Sequence, residues 1–134
     1  TYEHALALAR ALEKTPIRVA ARPGYVVTRV ILPMLNEAMQ VVQEGVASAE
    51  DVDLALRLAH EFRVGPLEYA DRIGLDKVLG WMEHLQGELG DKYAPCLLLR
   101  ELVEAGHLGC RSGRGFFGYE GHRRASGTGK EAAR

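Results

Sequence analysis

The 134-residue sequence has little cysteine, almost no net charge and no long apolar run. Its two cysteines, Cys96 and Cys110, lie too far apart for a CxxC pair. Without an export signal they are expected to be free thiols of a reducing, cytoplasmic compartment. A net charge of -1 gives no electrostatic reason to expect nucleic acid or an anionic membrane as partner. No apolar stretch approaches the roughly 20 residues that span a bilayer, and no signal-peptide pattern is present. The sequence holds no Walker motif and no GxSxG, and no GxGxxG that follows a strand and opens a helix: the glycines of "GRGFFG" lead into no helix. A zinc motif is also missing: four residues after His60, where a second histidine would stand, there is Val64. His4, His84, His107 and His122 are dispersed without ligand spacing, so no metal is expected. The first residue is Thr1 rather than methionine, which suggests a fragment or a processed product.

What is present is mostly helical. Residues 2–13 are rich in strong helix formers with Leu6, Ala9 and Leu12 at helical spacing, and Thr1 is placed to cap them. Ile17 to Ala20, bounded by Pro16 and Pro23-Gly24, reads as a short strand. A helix followed by a strand has the order of the trailing part of a βαβ crossover. From Tyr25 to about Glu44, Val27, Ile31, Leu35, Ala38 and Val42 follow one face, widened by Val30, Met34 and Val41. Such breadth predicts burial on more than one side, and Pro33 predicts a kink. Ser48 to Asp51 matches an acidic capping box and starts a helix that ends near Ala59. Pro66 suits a first helical turn. After Gly74, Leu75, Val78, Leu79, Met82, Leu85 and Leu89 form the clearest amphipathic stripe. A last helix is expected from about Cys96 to Ala105, followed by the glycine-punctuated "CRSGRGFFGY", whose aromatics can pack back on the bundle. Residues 120–134 are small and polar and read as a disordered tail. The apolar faces are broad for so few helices, and a dimer interface would account for the surplus.

The residues alone assemble no complete active site. Asp51 and Asp53 sit at a helix start, where capping explains an acid better than metal binding does. "RSGRG" offers arginines and glycines for a phosphate, but no helix follows it, and a plain turn is the better reading.

The succession "KTP", "PG", "LNEA", "EGVAS", "D.D.A", "GPLE.AD.IGLD", "LV..G.LG" and "GRGF" resembles the C-terminal part of the L-3-hydroxyacyl-CoA dehydrogenases, 3-hydroxybutyryl-CoA dehydrogenases included. The likeness runs in order from about residue 2 to 119. It implies an all-α, helical 6-phosphogluconate-dehydrogenase-C-terminal-like domain at 23–119. Residues 1–22 would then be the last helix and strand of a Rossmann domain, and 120–134 the tail. The implied activity is NAD-dependent oxidation of a 3-hydroxyacyl-CoA to a 3-ketoacyl-CoA in fatty acid metabolism and β-oxidation. The catalytic histidine-glutamate pair and the NAD site of the family lie outside this sequence. The chain alone is therefore expected to be inactive and to bind no cofactor. Its implied partners are a second copy, in a homodimer, and the acyl-CoA substrate.

The resemblance also singles out residues. Thr28 stands where the family usually has an asparagine that reaches into the active site and helps position substrate. Two roles are open to it: a catalytic contact, or a helix-start threonine bonding to nearby backbone. Arg29 matches the family and reads as serving structure or the interface rather than chemistry. Val64, Gly65 and Pro66 fall in a loop that the resemblance places beside the acyl chain. There Ala59, Glu61 and Arg63 replace the family's glycines and proline, giving a bulkier, charged loop. Two further readings stay open: a non-catalytic dimerisation module, and a related dehydrogenase of a non-CoA hydroxy acid.

Overall fold

The computed structural model describes residues 1–126. Six α-helices are present among them: α1 (Tyr2–Ala11), α2 (Val27–Gln43), α3 (Ala49–His60), α4 (Pro66–Ile73), α5 (Leu75–Leu89) and α6 (Leu97–Glu104). Short 3-10 turns at Asp91–Tyr93 and Cys110–Ser112 follow α5 and α6, and a small hairpin, β1 (Tyr119–Glu120) with β2 (Arg123–Arg124), comes last.

The boundaries follow local chemistry. The Ser48 Oγ accepts a hydrogen bond from the Asp51 N–H at 3.1 Å, satisfying one of the unpaired donors that begin α3. Pro66 opens α4 at a position where a missing N–H costs nothing. Gly74 and Gly90 close α4 and α5.

α2 is the axle of the bundle and packs against α3, α4, α5 and α6. It buries Leu32, Leu35, Ala38 and Met39 against Leu67 and Ala70 of α4, Leu75, Val78, Met82 and Leu85 of α5, and Leu99 of α6. The helix runs unbroken through Pro33, although Pro33 has no N–H to offer the Arg29 carbonyl. The expected two-sided burial of α2 is not found in its first turn: Val27 and Val30 are 69% and 63% exposed. The α5 stripe behaves otherwise. Its Leu75, Val78, Met82 and Leu85 are spent inside this one chain and leave little apolar face for a partner.

Three buried polar side chains fasten the bundle. Asn36 spans two groups at once, donating from Nδ2 to the Ala94 carbonyl at 3.1 Å and accepting the Cys96 N–H at 2.8 Å. Asp53, on α3, does not cap its own helix. Its carboxylate accepts the Leu67 and Glu68 N–H groups at 2.8 and 2.9 Å and so caps α4. Asp71 accepts the Phe116 and Phe117 N–H groups and the Tyr119 hydroxyl at 3.0, 3.1 and 2.7 Å. That clamp draws Phe117 and Tyr119 into the core, as expected for the aromatics after "RSGRG". The "RSGRG" segment itself is a turn held by Ser112 and by an Arg111–Asp76 ion pair at 2.7 Å.

Two expectations need correction. Residues 17–20 pair with no strand among the described residues: an isolated extended segment has no ladder to join. The tail reading fails at its start, because residues 120–124 belong to the hairpin, whose Arg124 lies 3.5 Å over the Phe117 ring. Residues 127–134 lie outside the described residues. α1 contributes no buried residue, and Leu8, Leu12 and Ile17 are exposed.

Burial lifts the Asp53 and Asp71 carboxyls above the ordinary 3.8, outweighing the downward pull of their donors. Above 3.8, and up to the raised value, the native state holds more protons than the unfolded chain. The stability linked to these groups is therefore complete below 3.8 and is lost as pH rises through the raised value. Asp71→Ala should cost about 3 kcal/mol in urea unfolding, because buried donors lose their acceptor. The cost should be larger at pH 4 than at pH 7, and a larger cost at pH 7 would contradict the assignment.

Candidate functional site

The candidate site is built on the first half of α2. Gly24 and Tyr25 both take left-handed backbone conformations, φ 75° and 45°, and turn the chain sharply into the helix. The Arg29 N–H closes this turn on the Gly24 carbonyl at 3.2 Å. The turn leaves Val26, Val27 and Val30 facing outward, an apolar patch at the helix start with no cover among the described residues.

Within that patch the Thr28-Arg29 pair divides its work. Arg29 Nε–H donates to the Tyr93 hydroxyl at 3.1 Å and ties α2 to the turn after α5, a structural role as expected. Thr28 is half-buried, and its hydroxyl enters no side-chain hydrogen bond among the described residues. The helix-capping role open to it from sequence is not the one seen, since the N-cap is Val26 and no side chain caps α2.

One turn further on, a pocket of about 270 Å³ opens between α2 and the loop that leads into α4. Ile31 and Met34 form one wall. Phe62, Arg63 and Val64 of the loop, with Pro66 and Tyr69 of α4, form the other. Val64 and Pro66 line this pocket, while Gly65 does not. Gly65 is buried against Asp53, and a Cβ there would run into the Asp53 carboxylate. Its role is to let the backbone approach that carboxylate, so that the α4 N-terminus can be capped. Thr28 does not line this pocket either. It precedes Ile31 by three residues, and Thr28, Ile31 and Met34 form one row along α2.

Sequence reasoning missed Asp53 as the anchor of the loop, and Asn36 and Asp71 as clamps. All three lie within the recognised motifs, "D.D.A", "LNEA" and "AD.IGLD", which gives those motifs a structural meaning. The loop itself carries a conformational cost. Glu61 ends α3 at φ 55°, a left-handed position that glycine occupies without strain and that costs other residues about 1 kcal/mol.

The arrangement offers contacts but no proton-transfer machinery of its own. Thr28 can donate and accept one hydrogen bond. Among the described residues no group of three or more His, Cys, Asp or Glu could hold a metal ion. Burial pushes the Cys96 and Cys110 thiols up, away from the reactive thiolate form.

A model of the 3-hydroxyacyl-CoA dehydrogenase C-terminal domain matches residues 24–119. The chain belongs to this family. It is 52% identical over 116 residues to a probable 3-hydroxybutyryl-CoA dehydrogenase of Bacillus subtilis, covering 86% of this chain and 40% of that protein. A second probable 3-hydroxybutyryl-CoA dehydrogenase, from Deinococcus radiodurans, is 50% identical over 83% of this chain and 40% of its own length. The crystal structure of (S)-3-hydroxybutyryl-CoA dehydrogenase from Ralstonia eutropha superposes with a TM-score of 0.85 at 46% identity, over 88% of this chain and 42% of that one. The chain thus spans about two fifths of the relatives it matches. The all-α class and the family read from the sequence hold.

A 3-hydroxyacyl-CoA dehydrogenase domain in which Thr28 is not a cap should tolerate its loss. Thr28→Ala should shift the stability of the chain by less than about 0.5 kcal/mol in urea unfolding. A loss of about 1 kcal/mol or more, the size of a removed cap, would restore the helix-start role.

Proposed function

We propose that this domain forms the substrate side of an NAD-dependent 3-hydroxyacyl-CoA dehydrogenase, which oxidises a 3-hydroxyacyl-CoA to a 3-ketoacyl-CoA in fatty acid metabolism. The observation that carries the reading is the row on α2: an unengaged Thr28 hydroxyl, followed at helical spacing by the wall of a pocket that Val64 and Pro66 complete. Thr28 is the residue assigned to the reacting end. Its hydroxyl holds the 3-oxygen or the thioester, while Val64 and Pro66 flank the acyl chain and Gly65 fixes the loop between them.

The NAD belongs elsewhere on the polypeptide. No strand followed by a glycine-rich turn and a helix occurs among the described residues to receive a dinucleotide pyrophosphate, so these residues do not fit the cofactor. Residues 1–22 are assigned to the edge of a nucleotide-binding domain. The exposed Leu8, Leu12, Ile17, Val26, Val27 and Val30 support this, because no described residue covers them. A cytoplasmic setting fits two buried, unbridged cysteines.

The partner is a second copy of the chain. The surface for it lies on α2 and α3 rather than on α5. An apolar groove of about 460 Å³ runs between Met34, Ala38 and Val41 on one side and Val52, Ala55 and Leu56 on the other.

The kinetic test uses a polypeptide in which this segment is joined to its nucleotide-binding domain. Thr28→Ala should lower kcat/KM for 3-hydroxybutyryl-CoA by a few-fold to about tenfold, the value of one hydrogen bond. Thr28→Asn should hold or raise it. Unchanged kcat/KM in both variants would remove Thr28 from the site. For the partner, sedimentation equilibrium of the chain should give twice its own mass, and Ala55→Glu, a charge placed in the groove, should shift it toward monomer. A clean monomer of the unsubstituted chain at tens of micromolar, where a specific dimer assembles by mass action, would refute the interface.

A further inference from the structure

The pocket between α2 and the loop before α4 is not uniformly apolar. Its walls are Ile31, Met34, Val64, Pro66 and the rings of Phe62 and Tyr69, with one exception, the guanidinium-bearing Arg63. Arginine has no acceptor and does not lose its charge, so an arginine on such a wall needs an anion or open water. This one is exposed and has no anion partner among the described residues, so a ligand's anion can reach it. Arg63 enters none of the ion pairs among the described residues. Glu61, two residues away, forms none with it. Glu68, on α4, is already taken by Arg72 at 2.7 Å and by Arg124 at 3.7 Å.

The position of the charge is as informative as its sign. Thr28, at the end of the row assigned to the reacting carbon, stands about 9 Å along the α2 axis from Met34, at 1.5 Å per residue. Arg63 shares the pocket with Met34, and Thr28 does not line it. It would therefore meet the far end of an acyl chain. The pocket, about 270 Å³, falls just below the usual range for small-molecule sites, roughly 300 to 1,000 Å³, and suits a short chain.

We propose that Arg63 is a specificity residue that selects short 3-hydroxyacyl-CoA substrates whose acyl chain ends in a carboxylate. This inference rests on the function proposed above and deepens it. A carboxylate at the chain end would pair with the guanidinium in a charge-assisted, bidentate geometry. A methyl end would instead leave the arginine exposed to an apolar chain and without an acceptor. Because the contact is remote from the reacting carbon and equal in ground and transition states, it acts on KM rather than on kcat.

The experiment compares 3-hydroxyadipyl-CoA with 3-hydroxyhexanoyl-CoA, of equal chain length, on the polypeptide that carries this segment with its nucleotide-binding domain. The unsubstituted protein should favour the carboxylate-ended substrate at least about tenfold in kcat/KM, as expected for one charge-assisted pair. Arg63→Met, which keeps the length and removes the charge, should abolish the preference by raising KM for 3-hydroxyadipyl-CoA. The same variant should keep or raise activity on 3-hydroxyhexanoyl-CoA, which also reports that it is folded. Arg63→Lys should keep part of the preference. No preference in the unsubstituted protein, or an unchanged ratio in Arg63→Met, overturns the assignment while leaving the dehydrogenase reading in place. Oxidation of neither substrate, nor of 3-hydroxybutyryl-CoA, overturns that reading and the assignment with it.

Discussion

The Asp53 carboxylate is the contact on which the rest of the site depends. It is buried, and it caps the N-terminus of a helix that is not its own. Its two oxygens take the Leu67 and Glu68 N–H groups, so the start of α4 is fixed against α3. Gly65 is glycine because the backbone must pass beside that carboxylate, and Pro66 follows because the next N–H is not needed. Everything between the end of α3 and the start of α4 is therefore held at both ends. This includes Phe62, Arg63 and Val64, and with them the second wall of the pocket on α2.

The same device recurs in Asp71 and Asn36. Each buried polar group has several backbone partners, which makes it costly to disturb and gives the bundle one arrangement. Asp71 brings in the segment after α6, and Asn36 brings in the segment before it. A core of leucines and methionines alone would hold α2, α4 and α5 together with less definition of the loops between them. The first turn of α2 lies outside these clamps. There apolar Val26, Val27 and Val30 face outward around Thr28, as an interdomain surface would.

Local signals in the sequence were strong enough to place the helices. Ser48 as a cap, Pro66 at a first turn, Gly74 and Gly90 as stops, and the Leu75–Leu89 stripe each express a physics confined to a few residues. What the sequence hid depends on distant partners. Nothing in residues 49–60 shows that Asp53 serves a helix fourteen residues on, or that Asp71 serves a turn some forty-five residues on. The segment at 17–20 reads as a strand by composition, but strand structure requires a neighbour. Residues 120–124 of the hairpin read as tail, because polar residues there say little and Arg124 is held by a ring and an acid elsewhere. Val64 and Pro66 were legible as pocket residues only through the family likeness, and Gly65 proved to be their support.

The central claim is that the α2 row and the loop anchored by Asp53 form the acyl-side substrate surface. Amide hydrogen exchange tests it most directly, on the polypeptide that joins this segment to the proposed nucleotide-binding domain, with and without acetoacetyl-CoA. The account predicts added protection at residues 27–31 and 62–69, where the start of α2 and the capped start of α4 meet the ligand. Protection confined to residues outside both segments, with these two unchanged, would contradict it.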